Sequence, residues 1–161
     1  MTRATPTPPA PAAPALTAVA AAVAVAVAGF ACGGEPSGPP GPVYTPATAD
    51  MIRALAADCQ IHPTESGGET RDCRGRQATV RIELDRERRL RELDMMVLAS
   101  TGVEEAWVLY NNVLPSTVGA EITDTAHRRL RGEATPDRVA GARIATMIDG
   151  QQYKVKLTWG R

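Results

Sequence analysis

The sequence predicts an α+β domain built on one antiparallel sheet with helices on one face. Three observations predict it. Residues 78–98 alternate apolar and polar side chains in two runs joined by a charged turn, and residues 143–159 do so again around Asp149-Gly150. Before and between these runs, apolar residues recur at helical spacing. Period two marks half-buried strands and a period near 3.6 marks amphipathic helices. Two hairpins alternating with helices make a sheet covered on one side. The expected order is α-ββ-α-α-ββ, in a single domain spanning 45–161.

Thr45-Pro46 opens the first helix, since Thr caps well and Pro is favoured at the first helical position. Met51, Ile52, Leu55 and Cys59 give it an apolar stripe, so the helix is expected over about 46–58. Ala78, Val80, Ile82 and Leu84 then alternate with Thr79, Arg81 and Glu83, a strand with one buried face. Asp85 to Arg89 reads as a solvated charged turn. Leu93, Met95 and Val97 form the return strand. Met95-Met96-Val97-Leu98 is apolar on both faces, which predicts a central strand with something covering its second face.

Thr101-Gly102-Val103-Glu104 has capping-box form. Val103, Ala106, Trp107 and Tyr110 carry a helix to about Asn112. Pro115 interrupts it, and Val118, Ile122, Ala126 and Leu130 form a further stripe. That helix stops at basic residues followed by Gly132. Asp149-Gly150 between two strand-like runs predicts a type I′ hairpin. Tyr153, Val155, Leu157 and Trp159 should face the core, with Gln152, Lys154, Lys156 and Thr158 in solvent.

Charge excludes one class of partner. All of the 18 Lys and Arg but Arg3 lie beyond the first 31 residues, against all 18 Asp and Glu. This balance shows no basic excess of the kind that binds nucleic acid.

The N-terminus is unlike the rest. Ala15–Ala31 is apolar apart from Thr17 and Gly29. A short apolar core ending in small residues is the pattern of a secretory signal; the alternative is an uncleaved anchor helix at the lower limit of bilayer-spanning length. Residues 1–31 are therefore expected to be a signal peptide. Residues 32–44 read as a Gly/Pro-rich flexible linker. The run Gly29-Phe30-Ala31-Cys32-Gly33-Gly34, with the linker after it, resembles the signal region of bacterial lipoproteins. Gly29 and Phe30 depart from the aliphatic and small residues that the family usually has there. The resemblance implies that Cys32 carries lipid, as diacylglycerol or palmitate, and that the chain is exported and lipid-anchored to a membrane of the cell envelope. Small residues at Gly29 and Ala31 also suit the ordinary signal peptidase, which would leave a soluble periplasmic or extracellular protein.

Three cysteines in an exported protein leave one odd. Lipid on Cys32 would leave Cys59 and Cys73 as a pair, in a compartment where disulfides persist. The segment between them is charged and Gly-rich, unable to pack itself, so a cross-link suits it. The open alternatives are free thiols and a metal site using Cys59, His62 and Cys73, whose Cys-x-x-His spacing chelates. No second close ligand pair accompanies it.

No Ser or Cys motif surrounds His62 or His127, which read as an exposed loop histidine and a solvated helical one. The glycine pairs at 33-34 and 67-68 neither follow a strand nor open a helix, so they form no phosphate loop. Trp107, Tyr110, Tyr153 and Trp159 read as core. The expected function is that of a non-catalytic envelope lipoprotein. It has no cofactor or metal, and its binding domain serves an unknown envelope protein or a small ligand. The alternatives are a soluble secreted interaction or inhibitor domain and a small exported enzyme or metal protein using His62, His127 or carboxylates that nothing local marks.

Overall fold

A computed structural model of the chain describes residues 38–160. The signal peptide expected over 1–31 and the lipid expected on Cys32 lie outside them. The fold class is as predicted: one antiparallel sheet with helices on one face. The sheet has seven strands where two hairpins were expected.

The elements are α1 (Pro46–Leu55), β1 (Asp58–Pro63), β2 (Glu69–Arg74), β3 (Ala78–Leu84), β4 (Leu90–Leu98), α2 (Val103–Asn111), α3 (Leu114–Val118), α4 (Ala120–Leu130), β5 (Arg138–Val139), β6 (Ala142–Asp149) and β7 (Gln152–Thr158). Their order across the sheet is β1-β2-β3-β4-β7-β6-β5. The first four strands form a meander. The chain then crosses the sheet as helices and returns with β7 paired to β4, the centre of the sheet.

Alternation fixes which side is buried. Val80, Ile82, Leu84, Leu93, Met95, Val97, Val155 and Leu157 are all buried, as the sequence predicts. Against them pack Ile52 of α1, Ala106 and Tyr110 of α2, and Ile122, Ala126 and Leu130 of α4. The Tyr110 hydroxyl lies within hydrogen-bond reach of two strand carbonyls, Met95 O at 3.0 Å and Tyr153 O at 2.6 Å. It therefore ties α2 to the two central strands.

Several boundaries differ from expectation. Helix α1 stops at Leu55, because Ala56 turns extended and is itself buried. Cys59 consequently sits on β1 rather than on a helical stripe. The segment expected to be an unpacked loop is the β1–β2 hairpin, paired from Asp58↔Arg74 to Pro63↔Glu69. So the glycines at 67-68 do follow a strand. They close this hairpin, with Gly68 N donating to Thr64 Oγ1 at 3.0 Å and Gly67 at φ +83. The stripe expected as one helix is split into α3 and α4 by Gly119, at φ +89. The last hairpin turns on Gly150-Gln151, since Asp149 and Gln152 already pair. Only Gly150 has positive φ, the type II′ pattern rather than type I′. A type I′ turn does occur, at Ala140 and Gly141 (φ 46 and 82), and it joins the unforeseen β5 to β6.

The end of the expected linker is packed against the domain. From Gly38 to Tyr44 it is a strap across one end of the sheet. Leu90 N donates to Pro42 O at 2.9 Å and Tyr44 N to Arg88 O at 2.8 Å. Gly41 is buried beneath them: a side chain there would overlap the Leu90 carbonyl oxygen and press on Trp159. Gly41→Val is expected to destabilise the domain by about 1–3 kcal/mol, as overpacking does. A lowered urea midpoint at unchanged slope would show it; an unchanged midpoint would mean that the strap contributes nothing to the fold.

Candidate functional site

The helix-free side of the sheet is where chemistry-bearing side chains gather. Register places them in rows across the strands. One row runs Asp72, Arg81, Asp94, Lys156 from β2 through β3 and β4 to β7. The next runs Thr70, Glu83, Glu92, Thr158. Charges of opposite sign on neighbouring strands attract. Lys154 Nζ reaches Asp94 at 2.9 Å and Lys156 Nζ reaches Glu92 at 2.9 Å, each one pair along the strand from its direct partner. Arg81 stands 3.8 Å from Asp72. Farther along, Met96 and Leu98 of β4 and Met147 of β6 extend the same side, and Leu98 and Met147 are exposed. Strand β4 is central as expected, but among the described residues nothing covers its second face.

At one end of this surface lies a cleft of about 540 Å³, lined by Glu83, Asp85, Arg86, Glu87, Arg91 and Glu92, with Pro40 of the strap and Trp159 nearby. A register shift shapes it. Glu83 pairs with Glu92 but Leu84 pairs with Leu90, so Arg91 is an extra residue on β4. Such a bulge re-aims a side chain, and Arg91 Nε turns to 3.6 Å from Asp85 Oδ2. Asp85 also accepts from Glu87 N and Arg89 N, each at 2.9 Å, which closes the β3–β4 turn. Glu83 and Glu92 are like charges directly opposite one another. Lys156 offsets the charge of Glu92, while Glu83 has no ion pair among the described residues.

The residues singled out from the sequence do not converge. Cys59 and Cys73 are disulfide-bonded, directly opposite each other on β1 and β2, and Cys73 is buried on the helix-covered side. The bond removes both sulfurs from the metal alternative. His62 is exposed on edge strand β1, opposite Thr70. Among the described residues no group of three or more His, Cys, Asp and Glu is placed to hold a metal ion.

His127 is not solvated as expected. Its ring stacks on Trp107, with centroids 4.1 Å apart and planes 5° apart. Its Nε2 lies 3.3 Å from Glu104 Oε2, outside hydrogen-bonding geometry. Glu104 therefore does not cap α2. Glu105 instead holds the residue before the N-cap Gly102, accepting from Thr101 N at 2.7 Å and from Thr101 Oγ1 at 2.9 Å. Those bonds hold its carboxyl below the usual range. Tyr110, Tyr153 and Trp159 are core residues as expected, and Trp107 is half-buried at the surface.

Sequence reasoning placed Lys154, Lys156 and Thr158 on the open side. It missed their carboxylate partners, because pairing between strands far apart in the chain leaves no local trace. Among the described residues no helix is long and apolar enough to cross a membrane. No family model, curated protein or solved structure matches this chain.

Proposed function

We propose that this protein is a non-catalytic envelope lipoprotein, held to a membrane through Cys32, whose α+β domain binds a partner protein or small ligand on the helix-free side of its sheet. The observation that carries the reading is the asymmetry of that sheet. One side carries the helices and the core over its central strands. The other presents the charged rows, the cleft beside Arg91 and the exposed Leu98 and Met147. The Cys59–Cys73 bond supports export, because disulfides persist in oxidising compartments. It also leaves Cys32 as the odd cysteine.

The anchor is tested by intact mass on protein from its native membrane fraction. A chain beginning at Cys32 and carrying diacylglycerol is expected. A bare chain in the soluble fraction would remove the anchor from the proposal. The binding surface is tested separately with Asp94→Ala and Lys156→Ala. Each breaks one ion pair whose carboxylate is mostly covered, 15% exposed for Asp94 and 16% for Glu92, so each should cost about 1–2 kcal/mol and leave the domain folded. Partners captured by the wild-type domain should be lost by both variants. Retention of every partner by both would move the binding surface elsewhere.

A further inference from the structure

We infer that the strap end of the domain rests on the anionic headgroups of the bilayer that holds Cys32, leaving the charged rows and the exposed Leu98 and Met147, rather than the cleft beside Arg91, for partners. The inference relies on the lipid anchor proposed above. It is drawn from where the strap begins and from the charge around that point.

Six residue steps separate Cys32 from Gly38. Fully extended they reach about 20 Å, whereas β4 alone, at nine residues, is about 30 Å long. The tether is thus shorter than the domain. A tether of that length keeps its point of attachment within about 20 Å of the surface, so the end from which it leaves is the one best placed to meet the headgroups.

That end is defined by contacts. A Cβ built on Gly38 would lie 3.7 Å from Arg138 Nη1 and 3.8 Å from Gly160 N. One built on Gly160 would collide with Arg91 Nη1, and one on Gly141 with the Pro39 ring. The β3–β4 turn, the Arg91 bulge, the β5–β6 turn and Gly160 therefore surround the point where the tether leaves.

The charge of this end suits a phosphate surface. Segments 85–91 and 137–143 together hold six arginines, at 86, 88, 89, 91, 138 and 143, against the carboxylates Asp85, Glu87 and Asp137. Each of those carboxylates is already engaged: Asp85 with Arg91, Glu87 with Arg89, Asp137 with Arg129. Arg138 and Arg143 stand directly opposite each other on β5 and β6. The β1–β2 turn reaches the same end and adds Glu65, with Glu69 held by Arg71, and Glu83 and Glu92 line the cleft beside the strap. Basic residues near an anionic bilayer contribute about 1 kcal/mol each, and a lipid chain with a basic patch anchors better than either alone.

The test uses the lipidated protein in vesicles of phosphatidylcholine, with and without one third phosphatidylglycerol. Amide hydrogen exchange is followed in segments 85–91 and 137–143 and, as a control, in the distal turns 74–78 and 149–152. Exchange at the strap end is expected to slow about fivefold on the anionic vesicles, with the distal turns unchanged. Raised salt should reverse it. The double variant R88E/R143E, at two exposed arginines of which Arg88 also lies over the Tyr44 ring, should lose the protection while the domain stays folded in urea titration. Inserting twelve Gly and Ser residues before Gly38 should weaken it. Equal exchange on both vesicle types, or protection at 149–152 instead, overturns the inference and leaves the anchor standing. A mass showing bare Cys32 overturns the anchor, and the inference with it.

Discussion

Removing the Cys59–Cys73 bond is expected to destabilise the domain by about 3 kcal/mol, the chain-entropy value for a loop of this length. Residues 59 and 73 are 14 positions apart and directly opposite across β1 and β2. The hairpin that they close has little else to hold it. Every β1 residue but Cys59 is exposed, and in β2 only Cys73 is fully buried. Burial of apolar area, the main source of stability elsewhere in the sheet, is nearly absent here. The C59S/C73S double variant should therefore unfold at lower urea than the wild type. Reductant should lower the wild-type midpoint to match and leave the variant unmoved. In the reduced state β1 amides should exchange before those of β3 and β4, as local unfolding of an edge requires. Equal midpoints with and without reductant would mean that the pairing of β2 with β3 alone holds this edge.

The same lack of burial explains why this hairpin was illegible in the sequence. Strands β3, β4, β6 and β7 have two unlike sides, and Val80, Ile82, Leu93, Val155 and Leu157 record that in their alternation. Strand β1 lies at an edge, and no apolar alternation marks it. Its residues Asp58, Gln60 and His62 resemble those of any polar loop. The strap was hidden for a related reason. Pro39, Pro40 and Pro42 read as linker composition, and the requirement on Gly41 arises only from the close approach of Leu90 and Trp159. The break between α3 and α4 could have been read from Gly119, but the stripe from Val118 to Leu130 runs straight through it. Of the candidate site, the outward lysines of β7 were legible, because one strand suffices to set their direction. Asp94, Glu92 and the Arg91 bulge became neighbours of those lysines only through the β4–β7 pairing. The stacking of Trp107 on His127 joins two helices across twenty residues, which no local periodicity encodes.

Tyr110 is the residue whose loss should cost most. It is fully buried where α2 crosses the two central strands, with its hydroxyl on carbonyls of both. Tyr110→Ala removes a large aromatic from a packed interior and should cost about 3–5 kcal/mol. Tyr110→Phe keeps the ring and loses the hydroxyl bonds, for about 1 kcal/mol. The two variants separate packing from hydrogen bonding in urea unfolding. Equal costs would place nearly all of the effect in the hydroxyl, against the packing argument. The hydroxyl also sets an alkaline limit. Burial, helped by the charge of Asp94, pushes its pKa well above the ordinary value near 10. Below pH ~10 the hydroxyl is protonated in both folded and unfolded chains, and its contribution is complete. Above that, the unfolded chain ionises while the folded one resists, so stability falls as pH rises toward the folded pKa, by up to about 1.4 kcal/mol per pH unit. Tyr110→Phe should flatten this decline. A smaller slope from Tyr44, whose hydroxyl is also raised by burial but opposed by Arg71, should remain. An unfolding midpoint that falls equally steeply between pH 10 and 11.5 in wild type and Tyr110→Phe would assign the alkaline limit to other groups.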